Sequence, residues 1–313
     1  MRVLLLFLDG VGIGPDDPDV NPFLQARLPV MAELLGGIPT LDGEIRHAPD
    51  DDPGVAGFRG TTLALDATLE TDGTPQSGTG QVALLTGRNA AEIHGGHFGP
   101  WTPISLRPLV EETSVLRRVR DAGRSVAFAN AYPRGWPGPR GSRRVAGPPL
   151  AARGAGVLDR HEEALGAGDA VSSEIVNDGW KRHLGHDWLP DVTPAKAGEN
   201  LAGVTAKHDL TLYAHYTTDT AGHRGQMAGA VEALERVDAF LRGLLAGLPE
   251  DTVLVLTSDH GNIEDVRTGH TLNPALGAVA RSAGADDALT SGRLPADLRD
   301  VTPFILDLLD TGD

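Results

Sequence analysis

Cysteine is absent from the 313 residues of this chain, which excludes disulfide scaffolds, thiolate metal sites and cysteine nucleophiles together. Any metal site must therefore be built from histidine and carboxylate. Long apolar runs are missing too. The opening MRVLLLFLDG holds one from Val3 to Leu8, closed by Asp9, too short for a signal-peptide core or a membrane span. A soluble cytoplasmic protein with no membrane partner is the expectation. Positive charge is scarce: 27 Lys and Arg stand against 43 Asp and Glu, a formal net charge of −16. A surface of that sign repels a polyanionic backbone, so nucleic acid is not an expected partner. A small phosphorylated metabolite stays compatible, because metal ions and a few local arginines override a global field at short range.

The length suits either one large α/β domain or a core with an insertion, and the second is expected. Val3–Leu8 is a continuous aliphatic run closed by Asp-Gly, as in a strand buried on both faces of a parallel sheet. Similar runs recur at 125–131, 210–216 and 252–257, each preceded by helical signals, which reads as repeated βα units. Between Gln226 and Leu248, apolar residues return at three- and four-residue steps, which predicts a long helix with one face on the sheet. Ser114 before Val115, Thr193-Pro194, and Thr302-Pro303 mark further helix starts. From Pro133 to Pro190 the pattern weakens under crowded Pro and Gly. The expected division is thus a core of 1–132 and 191–313 with 133–190 as an insertion or minimal cap. No internal repeat is evident.

Four places set Asp, His or Ser at the carboxyl end of a predicted strand or the start of a helix, the edge where open α/β sheets bind ligands. Asp9 in LDGVGIG, taken alone, reads more readily as a turn residue, since Asp-Gly after a strand is usually a turn. Asp219 and His223 in TDTAGH stand four apart, on one side of a helical turn, or else form a solvated surface pair. Asp259 and His260 in SDHGN follow a strand directly, and Gly261 permits the turn that would bring both to one ion. His270 in GHTLNP would alone be a surface histidine. Together they make three carboxylates and three histidines, the donors that Zn²⁺, Mn²⁺ or Fe²⁺ accept, and too many for one catalytic ion with an open position. In PQSGTGQVALLTGR, small residues enter a helix, so Ser77 or Thr79 would lie near free N–H groups that favour phosphate, or would simply cap the helix.

Taken in order, LDGVGIG, SGTGQVALLTGR, TDTAGH, SDHGN, GHTLNP and the terminal DVTPFILDLL resemble the alkaline phosphatase superfamily of metalloenzymes, nearest to its branch of cofactor-independent phosphoglycerate mutase and phosphopentomutase. The resemblance implies a three-layer α/β sandwich with a mostly parallel central sheet, and two divalent ions: Mn²⁺ or Zn²⁺, with Mg²⁺ as an alternative. It implies that Asp9, Asp259 and His260 hold one ion with the nucleophile oxygen, and that Asp219, His223 and His270 hold the other. The family's nucleophile spacing, relative to Gly80 and to Gly87-Arg88, falls on Ser77 and leaves Thr79 as second choice. In that branch a histidine commonly stands four residues after the nucleophile, where this chain has Gln81. The branch's arginine-rich substrate set and long inserted domain have no recognised counterpart here.

The expected chemistry is metal-dependent phosphoryl transfer through a phosphoserine, with hydrolysis of a small phosphate ester preferred to a phosphomutase reaction because the insertion is short. A non-catalytic metal-binding protein is the rival from another class. Substrate contacts are sought at Thr79, Arg88, His94 and His97. They are also sought in an arginine cluster of the insertion, Arg134, Arg140, Arg143, Arg144 and Arg153, with no acidic residue between Pro133 and Leu158; this is either a phosphate clamp or a solvated loop.

Overall fold

The computed structural model describes residues 1–43, 45–46, 58–138, 143–282 and 293–311. The strands are β1 (Arg2–Leu8), β2 (Ile38–Pro39), β3 (Ile45–Arg46), β4 (Phe58–Leu65), β5 (Val126–Phe128), β6 (Leu210–His215), β7 (Thr252–Thr257) and β8 (Ala275–Ser282). Six of them form one sheet in the order β4-β8-β7-β1-β6-β5. The pairs β1–β6, β1–β7 and β5–β6 are parallel, while β8 is antiparallel to both its neighbours. Every strand of this sheet except β8 therefore runs the same way. β2 and β3 form a separate small ribbon.

The aliphatic run of β1 is explained by its place. It lies between β6 and β7, with Leu5 opposite both Leu212 and Val255, so both faces are covered. Leu4, Leu6 and Leu8 face one way, into a core shared with the helices Pro29–Leu35, Pro194–Thr205 and Met227–Gly247. Val3, Leu5 and Phe7 face the other, against Ser77–Thr86, Arg107–Thr113, Val115–Asp121, Gly147–Gly154 and Leu298–Leu308. The result is a three-layer sandwich with a mostly parallel centre. Each fully buried leucine of β1 contributes about 2 kcal/mol of transfer free energy.

Two sequence expectations need correction. The last helix does not open at Thr302-Pro303. It starts one turn earlier, where the Asp297 side chain accepts from the Arg299 amide and a reciprocal Asp300 contact completes a capping box; Pro303 then sits inside, forgoing one helical hydrogen bond. The run at 125–131 yields only Val126–Phe128 as strand, because β5 is a sheet edge paired to β6 alone. The span 133–190 contributes to two buried clusters. Its helix Gly147–Gly154 opens with Pro148 and Pro149 in the first turn, where proline is tolerated, and Leu150, Ala151 and Ala152 lie in the same buried cluster as Val3 and Leu5. Only the part around Leu165, Trp180 and Leu189 forms a cluster of its own. Among the described residues no helix is long and apolar enough to cross a membrane.

Candidate metal centre

The parallel strands deliver their carboxyl ends to one edge. β1 ends in Asp9, β6 leads into the Thr217–His223 helix, and β7 leads into Ser258, Asp259 and His260. Because β8 runs the opposite way, its beginning lies at this same edge, and the segment before it carries His270. The Ser77–Thr86 helix starts here as well. Gly10, at φ +66°, turns the chain away after Asp9 where an added Cβ would stand 2.7 Å from Asp219 Oδ1; a side chain is excluded on both counts. Gly80 lets the first turn of the Ser77 helix rest on the backbone of Asp259, where a Cβ would lie 2.7 Å from its carbonyl oxygen.

Two groups of three donors result: Asp9, Asp259 and His260, all buried, and Asp219, His223 and His270, more open; within each group one ligand atom per residue lies within 4.8 Å of the others. In the first, His260 Nε2 stands 3.4 Å from Asp9 Oδ1 and 3.7 Å from Asp259 Oδ1. The Ser77 Oγ is 2.9 Å from the same Nε2. In the second, Asp219 has His223 Nε2 at 3.4 Å and His270 Nε2 at 3.4 Å. The His260 and His270 rings stack with centroids 3.9 Å apart, which ties the groups together.

Backbone carbonyls settle which nitrogen faces inward. His260 Nδ1 donates to the Gly261 carbonyl at 3.2 Å and His270 Nδ1 to that of Pro75 at 3.0 Å, so in the neutral ring each Nε2 lone pair points into the cluster. Asp9 Oδ1 and Asp259 Oδ2 are buried and have no hydrogen-bond partner. Buried carboxylate oxygens left in this way are costly unless a cation meets them. The mixed carboxylate and imidazole set thus fits divalent metal ions on its own geometry.

The electrostatics agree. Burial raises the Asp9 carboxyl well above its usual range, and the Asp259 charge adds to the effect. Burial alone would lower the His260 pKa, yet Asp259 and Asp9 outweigh it and lift it to about 10. At Asp219 burial also disfavours the charge, but the His270 hydrogen bond and His260 lower its pKa overall. The site's field therefore calls for positive charge between these groups.

A supporting shell was not read from the sequence. Asn262, fully buried, donates to Asp219 Oδ1 at 2.6 Å. Thr218 Oγ1 donates to the Asp9 carbonyl at 2.6 Å. Gln81 Nε2 donates to Asp9 Oδ2 at 3.2 Å, while its Oε1 accepts from the Gly147 amide at 2.9 Å. Buried Glu264 takes the Gly12 and Asn262 amides on one oxygen and the Thr271 and Asn273 side chains on the other. Asn262 and Thr218 sit inside the motifs SDHGN and TDTAGH, which was the available signal; Glu264 carried none.

Several expected substrate contacts lie elsewhere. Gln76, not Ser77 or Thr79, occupies the helix cap. Thr79 is fully buried, its hydroxyl donating to the Gln76 carbonyl and accepting from the Phe98 amide, so it fastens the 98–101 loop. Arg88 is exposed beyond the far end of the Ser77–Thr86 helix, about 15 Å along the axis from Ser77 at 1.5 Å per residue. His94 packs edge-on against Phe98. His97 Nε2 is held by the Thr68 and Thr71 carbonyls at 3.0 and 3.2 Å. The arginine cluster also divides. Arg134 pairs with Glu162 and Glu163, and Arg153 with Glu111. Exposed Arg143 offers its carbonyl to Arg107, and Arg140 lies outside the described residues. Arg144 alone of these lines the cavity of about 340 Å³ that opens on Ser77.

Comparison with known proteins gives partial matches. Residues 186–311 match the family described as the Metalloenzyme superfamily. The 2,3-bisphosphoglycerate-independent phosphoglycerate mutase of Methanopyrus kandleri is 32% identical over 192 residues, 56% of this chain and 45% of that protein. Its counterpart in Desulforudis audaxviator is 30% identical over 132 residues, 40% of this chain and 25% of that protein. The chain thus covers less than half the length of either relative. Among solved structures, a protein from Pyrococcus horikoshii superposes with a TM-score of 0.57 at 15% identity, over 100% of this chain and 97% of its own. A protein in the alkaline phosphatase superfamily from Vibrio parahaemolyticus gives 0.52 at 11% identity, over 98% and 66%. These likenesses establish an alkaline-phosphatase-like α/β fold.

Proposed function

We propose that this chain is a metalloenzyme of the alkaline phosphatase superfamily, a reading supported by the match of residues 186–311 and by the mutase relatives, and that it hydrolyses a small phosphate ester by phosphoryl transfer through Ser77 at a centre of two divalent ions. The observation that carries the reading is the seat of Ser77. Its hydroxyl lies 2.9 Å from His260 Nε2, beside carboxylates with unpartnered buried oxygens, at the first turn of a helix. Asp9, Asp259, His260 and Ser77 Oγ would hold one ion; Asp219, His223 and His270 would hold the other. Mn²⁺ or Zn²⁺ suits such a mixed donor set better than Mg²⁺. Bound there, the ions supply neutralisation of the phosphate oxygens and a lowered pKa for the serine hydroxyl.

The chain's own residues do the rest. The Phe98 carbonyl takes the Thr79 amide at 3.0 Å, which leaves the Ser77 and Gly78 amides at the helix start to favour the phosphate dianion. Ser77 Oγ loses its proton and bonds to phosphorus, the ester P–O bond breaks in line with it, and the leaving oxygen departs with a proton. Water then attacks the phosphoserine, the P–Oγ bond breaks, and the hydroxyl is restored with release of inorganic phosphate. Gln81 keeps the Asp9 carboxylate oriented throughout.

Water is the favoured acceptor because the division into a core of 1–132 and 191–313 with 133–190 inserted leaves little to close the site. One of the inserted helices, Gly147–Gly154, packs in the core. A phosphomutase reaction is the second reading, favoured by the mutase relatives. The test is turnover of p-nitrophenyl phosphate by Mn²⁺- or Zn²⁺-loaded protein. Ser77→Ala is expected to lower kcat at least about a thousandfold. Full turnover by that variant overturns the serine assignment, and metal binding by the unaltered protein with no turnover of any ester makes it a non-catalytic binder.

A further inference from the structure

The cavity that opens on Ser77 is lined by Trp101, Tyr132, Trp136 and Tyr216, together with Asp9, Asp219 and Arg144. The whole chain has only three tyrosines and four tryptophans, so half or more of each type gathers at one small space. Three of these rings, Tyr132, Trp136 and Tyr216, are braced by other rings, while Trp101 is exposed at the rim. Phe128, fully buried, stacks on Tyr132 with centroids 5.8 Å apart, and Trp136 meets Tyr132 edge-on at 4.5 Å. Phe7 stands edge-on to Tyr216 at 6.3 Å. A wall held this way keeps its shape before any ligand arrives, which limits the ordering cost of binding.

Charge points the same way. A short carboxylated phosphoester would bring a second anion into the cavity, and a desolvated carboxylate needs matched cations. Among the described lining residues Arg144 is the sole arginine or lysine, and it is exposed. A volume of about 340 Å³ lies at the small end of ligand pockets, roughly 300–1,000 Å³. It accommodates one ring beside a phosphate.

We propose that this site selects phosphate monoesters whose alcohol carries a flat, uncharged aromatic ring, gripped by Trp101, Tyr132, Trp136 and Tyr216, in preference to short carboxylated phosphoesters. The inference rests on the reading of Ser77 as the phosphoryl acceptor, and it adds the class of leaving group. Ring stacking and edge contacts on such walls are orientation-selective, so they position the ester oxygen without a charged anchor.

Benzyl phosphate and 3-phosphoglycerate test it on the metal-loaded protein, since both leave as alkoxides and differ chiefly in ring against carboxylate. The expected kcat/KM for benzyl phosphate exceeds that for 3-phosphoglycerate by at least about tenfold, and Trp136→Ala brings that ratio toward unity. Benzylphosphonate, which cannot be hydrolysed, is expected to quench the tryptophan fluorescence of the unaltered protein, and to do so less in Trp136→Ala. Equal or inverted rates for the two esters overturn the proposal, whether or not the variant folds. If neither ester is turned over, the phosphoryl-transfer reading fails instead, and the fluorescence titration still decides the ring: quenching supports the aromatic grip, and unchanged emission overturns it.

Discussion

The Nε2 atoms of His223 and His270 face each other at 3.0 Å, both beside Asp219. Since His270 Nδ1 donates to the Pro75 carbonyl, its Nε2 offers a lone pair in the neutral ring, and a cation shared with His223 and Asp219 satisfies all three. Calorimetric titration with Zn²⁺ or Mn²⁺ is therefore expected to resolve two classes of site. His223→Ala removes the class held by Asp219 and His270, Asp9→Asn removes the other, and chelation lowers Tm by removing the stabilisation that ligand binding gives the folded state. One class surviving both substitutions would sink this assignment.

Glu264 joins three segments that carry or adjoin the donor residues, with two hydrogen-bond donors on each carboxylate oxygen. In Glu264→Gln, an amide NH₂ replaces one oxygen and faces donors whichever way it is turned. Urea unfolding is expected to show a loss on the order of 2 kcal/mol, together with weaker metal binding. Unchanged stability and affinity would mean that the loops are held by other contacts.

His215 ends β6, buried, with Nδ1 donating to the Ser173 carbonyl and Nε2 without a partner. Burial lowers its pKa from 6.5 to about 4. The sign follows from proton counting: below 6.5 the unfolded chain takes up a proton that the folded chain refuses until about 4, so acidification over that window destabilises the fold. The full effect is on the order of 3 kcal/mol. His215→Asn, which keeps a donor for Ser173, is expected to lose less stability than the unaltered protein between pH 7 and pH 4.5 in urea titrations. Parallel losses would show that His215 is not the group responsible.

Much of the edge was legible because its chemistry follows the strands. Aliphatic runs that can be buried on both faces mark β1, β6 and β7, and the polar residues directly after them converge as donors. What escaped has identifiable causes. β4 and β8 contain Gly60 and Gly277 and are mixed in pattern, so no run announced them; without the antiparallel β8 the position of His270 could not be derived. Arg88 looked close to Ser77 in sequence, but ten helical residues separate them in space. The Gly147–Gly154 helix hid behind two prolines that suit a first turn. The arginines of 133–158 looked unopposed until Glu111, Glu162 and Glu163 arrived from flanking segments.

The central claim is that the phosphoryl group rests on Ser77 before water receives it. The stereochemistry at phosphorus tests this most directly, since each in-line displacement inverts the centre. Hydrolysis of a phosphorothioate ester made chiral at phosphorus with ¹⁶O and ¹⁸O, in water of ¹⁷O, should give inorganic thiophosphate with retained configuration, the product of two displacements. Inverted configuration would mean a single attack by water and would contradict the account.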